Sequence, residues 1–191
     1  MDEKLTPADS LCALVKAPGQ LTEEILLKGV FTVEVLDETG KLVRRETFRN
    51  TVVTQGKNDL LDKYLSGSSY TAAFYIGLIS SASYSAISAT DTAASHSGWV
   101  EAGATHDPTY TGARPTCSFA SASAGSKALA SAASYTITGN GSSATIKGAF
   151  LQTASAVDST SGILLSAGLF TGGDLTVLTG YIVNVSWSLA V

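Results

Sequence analysis

Hydrophobic and polar residues alternate with a period of two over several stretches of this chain, and that rhythm predicts strands. At the end of the chain Tyr181, Val183, Val185, Trp187 and Leu189 fall on one face, and Ile182, Asn184, Ser186 and Ser188 on the other, as a half-buried strand requires. Phe31, Val33 and Val35 alternate with Thr32 and Glu34, Asp37-Glu38-Thr39-Gly40 supplies a turn, and residues 41–48 run back. This predicts a hairpin over 29–48, continued as extended chain over 50–54. Residues 73–79 (AFYIGLI) are apolar almost throughout, the pattern of a strand buried on both faces. Residues 80–94 are rich in Ser, Ala and Thr and read as a loop. Between 111 and 150, 28 of 40 residues are Ser, Ala, Thr or Gly, but Phe119, Leu129, Tyr135, Ile137, Ile146 and Phe150 punctuate them at strand-like spacing. Gly139-Asn140-Gly141 predicts a hairpin turn joining strands at 135–138 and 144–151. A further strand is expected at 162–166, and a turn at Gly172-Gly173-Asp174.

One stretch has a helical period. Leu60, Leu61, Tyr64 and Leu65 make one apolar stripe within 55–65, with Thr54 or Asn58 to cap the start and Gly67 to end it. Before the hairpin, Leu11, Ala13, Leu14 and Val15 are separated by Pro18-Gly19 from Leu21, Ile25, Leu26 and Leu27. These apolar residues are too few for a core of their own, so residues 1–28 are expected to form an extended N-terminal arm that docks on the rest of the chain or on a neighbour. Residues 29–191 are expected to form a single β-domain: hairpin 29–48, short helix 55–65 and β-sandwich 70–191. The expected fold class is all-β, a jelly-roll-like sandwich or small barrel with one short helix.

Charge changes this picture most. Residues 1–65 hold 20 of the 28 charged residues, 11 acidic and 9 basic. The other 126 residues hold Asp91, Glu101, Asp107, Arg114, Lys127, Lys147, Asp158 and Asp174. An exposed domain surface normally carries about a quarter or more charged residues. A neutral surface of Ser, Thr, Ala and Gly suits permanent contact with neighbours, because no charge must be desolvated there. The net charge of −4 gives no electrostatic footprint for nucleic acid. The polar opening MDEKLTPADS does not read as a secretory signal, and no run approaches about 18 apolar residues, so neither a leader nor a membrane span is expected. Cys12 and Cys117 make no disulfide framework and read as small buried hydrophobes.

The densest group of reactive residue types is His96, Glu101, His106 and Asp107. Their spacing fits no metal motif; the plain reading is a surface loop with polar groups at strand ends, and no metal or cofactor is expected. There is no GxSxG elbow, GxxxxGK[ST] or GxGxxG, so no catalytic residues are expected either. Asn140-Gly141-Ser142 and Asn184-Val185-Ser186 match the glycosylation sequon, which without a secretory signal carries no weight. Trp99 and Tyr110, in and beside the His/Glu loop, either stack on sugar or cover one end of the core.

The ordered segments NTVVTQGKNDLLDKYLSG, FYIGLIS, SGWVEAGATHDPTYTGARPTCSFA and ATIKGAFLQ, followed by the GGD turn and the period-two strand, resemble small virion proteins of tailed bacteriophages. The resemblance covers roughly residues 50–191 and brings no catalytic residues. It implies a non-enzymatic head decoration (cement) protein that binds between major capsid subunits and stabilises the mature shell. Such a protein would be made in the host cytoplasm and reside in the virion as a trimer or dimer, without nucleic acid or membrane partners. Leu11, Leu14, Val15, Ile25 and Leu26 of the arm would supply the capsid interface. The alternative is a tail-fibre or adhesin-type module that binds a host surface glycan.

Overall fold

The computed structural model describes residues 27–67, 69, 73–139 and 145–191. Eleven strands and one helix follow in chain order: β1 (Lys28–Leu36), β2 (Leu42–Val52), α1 (Thr54–Leu65), β3 (Tyr75–Tyr84), β4 (Trp99–Ala102), β5 (Thr109–Tyr110), β6 (Ser126–Ala128), β7 (Ala133–Gly139), β8 (Thr145–Gln152), β9 (Leu164–Leu169), β10 (Leu175–Thr176) and β11 (Ile182–Ala190). The pairing order is β4-β3-β8-β9-β2-β1-β11-β7-β5, and every pair is antiparallel. The end strands β4 and β5 are consecutive in the chain, and the Tyr110 N–H donates to the Gly103 carbonyl between them at 3.3 Å. A second seam runs through Thr116, which bridges Tyr75, and through Phe119, which bridges Leu129. The fold is therefore an all-β, nearly closed antiparallel barrel.

The two-residue period determines what lies inside. Phe31, Val33 and Val35 of β1, Phe48 of β2, Tyr135 and Ile137 of β7, and Val183, Val185 and Trp187 of β11 are buried in one large apolar cluster. Phe31 stacks on Phe48, whose ring meets Phe170 edge-on at 5.0 Å. The Tyr135 hydroxyl crosses the interior to donate to the Ile76 carbonyl at 2.6 Å. The β1–β2 hairpin is thus part of the barrel wall, between β11 and β9. The apolar run at 73–79 serves both faces: Ile76 and Leu78 join the interior cluster, while Ile79 joins a second one with Trp99, Phe150, Leu164 and Ala167. Gly77 lies under the Phe150 ring, where a Cβ would stand 2.1 Å from the ring edge.

Several expectations are corrected. Strand β3 continues through Ser80 to Tyr84, because a bulged pairing with β8 and β4 extends it beyond the apolar run. Strands β7 and β8 do not form a hairpin: β7 pairs with β11 and β5, and β8 with β3, β9 and β10. The turn preference of Gly139-Asn140-Gly141 is local and yields to these tertiary pairings; residues 140–144 themselves lie outside the described residues. Helix α1 has Val53 at its N-cap and no side-chain cap. It is instead tied at its start by backbone bonds, from Val53 N–H to the Leu165 carbonyl of β9 and from Thr54 N–H to the Ala89 carbonyl in the loop after β3. Its buried residue is Gly56, and of the apolar stripe only Leu60 packs on the core. Leu61, Tyr64 and Leu65 are exposed, Tyr64 to 88%. Lys28, expected in the arm, is already in β1, and Leu27 packs on the interior cluster; residues 1–26 lie outside the described residues.

Candidate functional site

His96, Glu101 and His106, three of the four polar residues singled out in the sequence, meet on the outer face of the β4–β3–β8 sheet. A cleft of about 280 Å³ is lined by His96, Glu101, Thr105, His106, Arg114 and Asp158, among others. Strand β4 places Trp99 and Glu101 two residues apart, hence on the same face. Asp107 does not join the cleft: its described contact is through its backbone carbonyl, which accepts from Ser80 Oγ at 2.5 Å.

The floor is a buried ion pair. Arg114 Nε and Nη2 donate to the two Glu101 oxygens, each at 2.6 Å, and both side chains are about 97% buried. Nη1 donates to the Ala154 carbonyl at 2.7 Å. The Gln152 amide, with its oxygen turned toward the guanidinium, accepts from both Nη atoms. All five Arg114 N–H groups thus have partners. Glu101 Oε2 also accepts the Asp158 N–H at 2.6 Å. The guanidinium lies over the Phe150 ring, 5.1 Å from its centre. Burial holds the Glu101 carboxyl above the ordinary glutamate range, against the opposing pull of the Arg114 hydrogen bonds and charge.

The rim is equally engaged. Asp158 Oδ2 accepts from the Thr105 hydroxyl at 2.6 Å. The His96 ring stacks on Trp99 with centres 3.9 Å apart, and its Nδ1 lies 3.1 Å from the Trp99 carbonyl oxygen, which makes that nitrogen the donor. The Trp99 indole donates to Asp91 at 2.9 Å. Ser159 Oγ pairs with Ser161 Oγ at 2.9 Å. Chemically, the cleft offers a saturated guanidinium, a saturated carboxylate and hydroxyls bonded to one another. His106 Nδ1 is buried without a partner among the described residues. Among the described residues, no three His, Cys, Asp or Glu side chains are placed to hold a metal.

Trp99 and Tyr110 are 1% and 6% exposed, so both cover the core and neither presents a face to a sugar. Cys117 is a half-buried free thiol whose pKa burial pushes up to about 12. Asn184 lies half-buried in β11. Leu11, Leu14, Val15, Ile25 and Leu26 lie outside the described residues. Sequence reasoning missed the central member of the cleft, Arg114, together with Gln152 and Asp158. The available signal was chemical: a lone arginine in a nearly uncharged stretch needs a carboxylate if it is buried, and Glu101 is the glutamate nearest in sequence. Comparison with protein-family models, with curated proteins and with solved structures finds no match to this chain.

Proposed function

We propose that this protein is a non-enzymatic virion component of a tailed phage, a decoration protein that binds between major capsid subunits and stabilises the mature shell. The observation that carries the reading is the near-neutrality of the wall that follows α1, in contrast to the charged β1–β2 hairpin. Of the eight charged residues after residue 65, Asp91, Glu101 and Arg114 are buried. Lys147 and Asp174 pair at 3.0 Å. Asp107, Lys127 and Asp158 are left to charge the rest of that surface. Such a wall packs against neighbours with little desolvation cost. The exposed Leu61, Tyr64 and Leu65 of α1 add an apolar contact, and the arm adds Leu11, Leu14, Val15, Ile25 and Leu26. Binding only the assembled shell would stabilise it by mass action, and many symmetric copies would turn modest contacts into tight attachment. Glycan recognition is the alternative; Trp99 and Tyr110, the aromatics it was to use, are buried.

Copy number tests the proposal. Quantitative mass spectrometry of particles purified from the source should find this chain at a level comparable to the main shell subunit. A handful of copies, or none, refutes the decoration role, and a hit on a glycan array would revive the alternative.

A further inference from the structure

A groove of about 190 Å³ opens at one end of the barrel, lined by Leu60 of α1, Phe74, Phe119, Leu165, Trp187 and Leu189, with Lys127 at its edge. Three features of this groove ask for an occupant. Its lining is almost wholly apolar. Trp187 is 4% exposed, and its indole N–H is buried without a partner among the described residues, so an acceptor brought to it is favoured. Lys127 is exposed, lies over the Phe119 ring at 5.9 Å and has no carboxylate partner among the described residues.

The chain itself arrives at this place. Gly29 pairs with Leu189, and Lys28 with Ala190, so β1 begins beside the groove wall, and Leu27 already packs on the interior cluster. The six residues before it are Leu21, Thr22, Glu23, Glu24, Ile25 and Leu26. Extended, they reach about 20 Å. They carry three apolar side chains, two carboxylates and a row of backbone carbonyls. These complement, in turn, the apolar lining, Lys127 and the unpaired Trp187 N–H.

We infer that residues 21–26 of the arm seat in this groove on their own barrel, with Ile25 and Leu26 against Trp187 and Leu60, Glu23 or Glu24 beside Lys127, and a backbone carbonyl accepting the Trp187 indole proton. The inference refines the decoration reading: the near half of the arm is a fixed strap, and Leu11, Leu14 and Val15 are the part left to reach a neighbouring subunit. It is tested on the isolated protein, so its failure is separate from any failure to bind particles.

The full-length chain is compared with Ile25→Asp/Leu26→Asp and, as a control, Leu11→Asp/Leu14→Asp. The first pair should shift the Trp187 indole N–H resonance and speed its exchange with solvent, since its acceptor is lost while the Trp99 indole keeps its bond to Asp91; the control should match the native chain. Cleavage after Glu23 and Glu24 by a glutamate-specific protease should be slow in the native chain and about tenfold faster in Ile25→Asp/Leu26→Asp. Lys127→Glu, at an exposed position, should also speed this cleavage without disturbing the fold. An unchanged Trp187 indole resonance in the arm variant, with unchanged cleavage in the arm and Lys127 variants, overturns the inference. So does a native dimer that falls to monomer in Ile25→Asp/Leu26→Asp, because the groove would then hold the arm of a second copy.

Discussion

Removing the guanidinium from the cleft floor is the most informative perturbation of the barrel. In Arg114→Met the side-chain volume stays similar, but Glu101 is left about 97% buried with only the Asp158 N–H to satisfy it. Breaking a buried pair in this way costs about 3–5 kcal/mol. In Glu101→Leu/Arg114→Met no orphan charge remains. The residual loss is then the bonds to the Ala154 carbonyl and to Gln152 plus an unpaired Asp158 N–H, at about 1 kcal/mol each. The double variant should therefore be no less stable than Arg114→Met, which is the opposite of additivity. The sign of the pH dependence follows from the raised Glu101 pKa. A carboxyl whose folded pKa is raised contributes most below its unfolded value, and that contribution is lost as pH rises through the folded value. Without Arg114, which pulls the pKa down, the folded value rises further. The cost of Arg114→Met must then grow from about pH 4 to pH 7. Urea unfolding followed by tryptophan fluorescence reads both effects: at a slope of about 2 kcal/mol per M, the pH 7 midpoint should fall by about 1.5–2.5 M. A loss below about 1 kcal/mol at pH 7, or a cost that shrinks as pH rises, would refute the reasoning.

Other expectations concern single contacts. Gly56→Ala places a Cβ 2.5 Å from the Leu165 carbonyl oxygen and 2.7 Å from its Cα; this overpacking against backbone should outweigh the gain of about 1 kcal/mol in helix propensity, and a higher urea midpoint would contradict it. Tyr135→Phe removes the 2.6 Å bond across the barrel interior and should cost about 1–2 kcal/mol, read by the same unfolding assay. In a Cys12→Ser background, Cys117 should stay unmodified by a thiol-specific reagent at pH 8, because its pKa near 12 leaves almost no thiolate; rapid labelling of the folded protein would contradict this. Tyr64→Lys/Leu65→Lys, at exposed positions, should leave stability within about 0.5 kcal/mol and reduce occupancy on shells, and unchanged occupancy would remove α1 from the proposed interface.

The parts of the fold that were legible in the sequence are those where burial on one face forces a period. Phe31, Val33 and Val35, and Val183, Val185 and Trp187, point inward as their alternation requires. Residues 73–79 lack alternation because both of their faces are covered, one by the barrel interior and the other by Trp99 and Phe150. Long-range partnership was not legible. Gly139-Asn140-Gly141 is a strong local turn signal, but hydrogen bonding to β11 and β3 separates the strands on either side of it. The stripe Leu60, Leu61, Tyr64 and Leu65 has a helical period, but packing of Gly56 on Leu165 turns most of it outward. A glycine contributes nothing to a hydrophobic period, so the contact that orients the helix is silent in the pattern. The cleft failed to appear for a related reason. Its polar types were visible at 96–107, but the residue that organises them, Arg114, reaches its partners through folding.

Arg114 also bears on why a neutral barrel can serve as a contact surface. A wall of Ser, Ala, Thr and Gly has few side chains able to fix one strand against its neighbour, and its seam runs where β4, the 103–116 segment and the end of β8 meet. One guanidinium there joins Glu101, Gln152 and Ala154, and Glu101 passes the connection on to the Asp158 backbone. The buried charges of the segments after α1 are therefore spent within the protein, on holding these segments together. What remains outward beyond the β1–β2 hairpin is a surface with little to desolvate, together with the exposed apolar side chains of α1. Specific contact with another molecule must then come mainly from those apolar features and from the arm, and perturbing them should change association far more than stability. The clamp should behave in the opposite way.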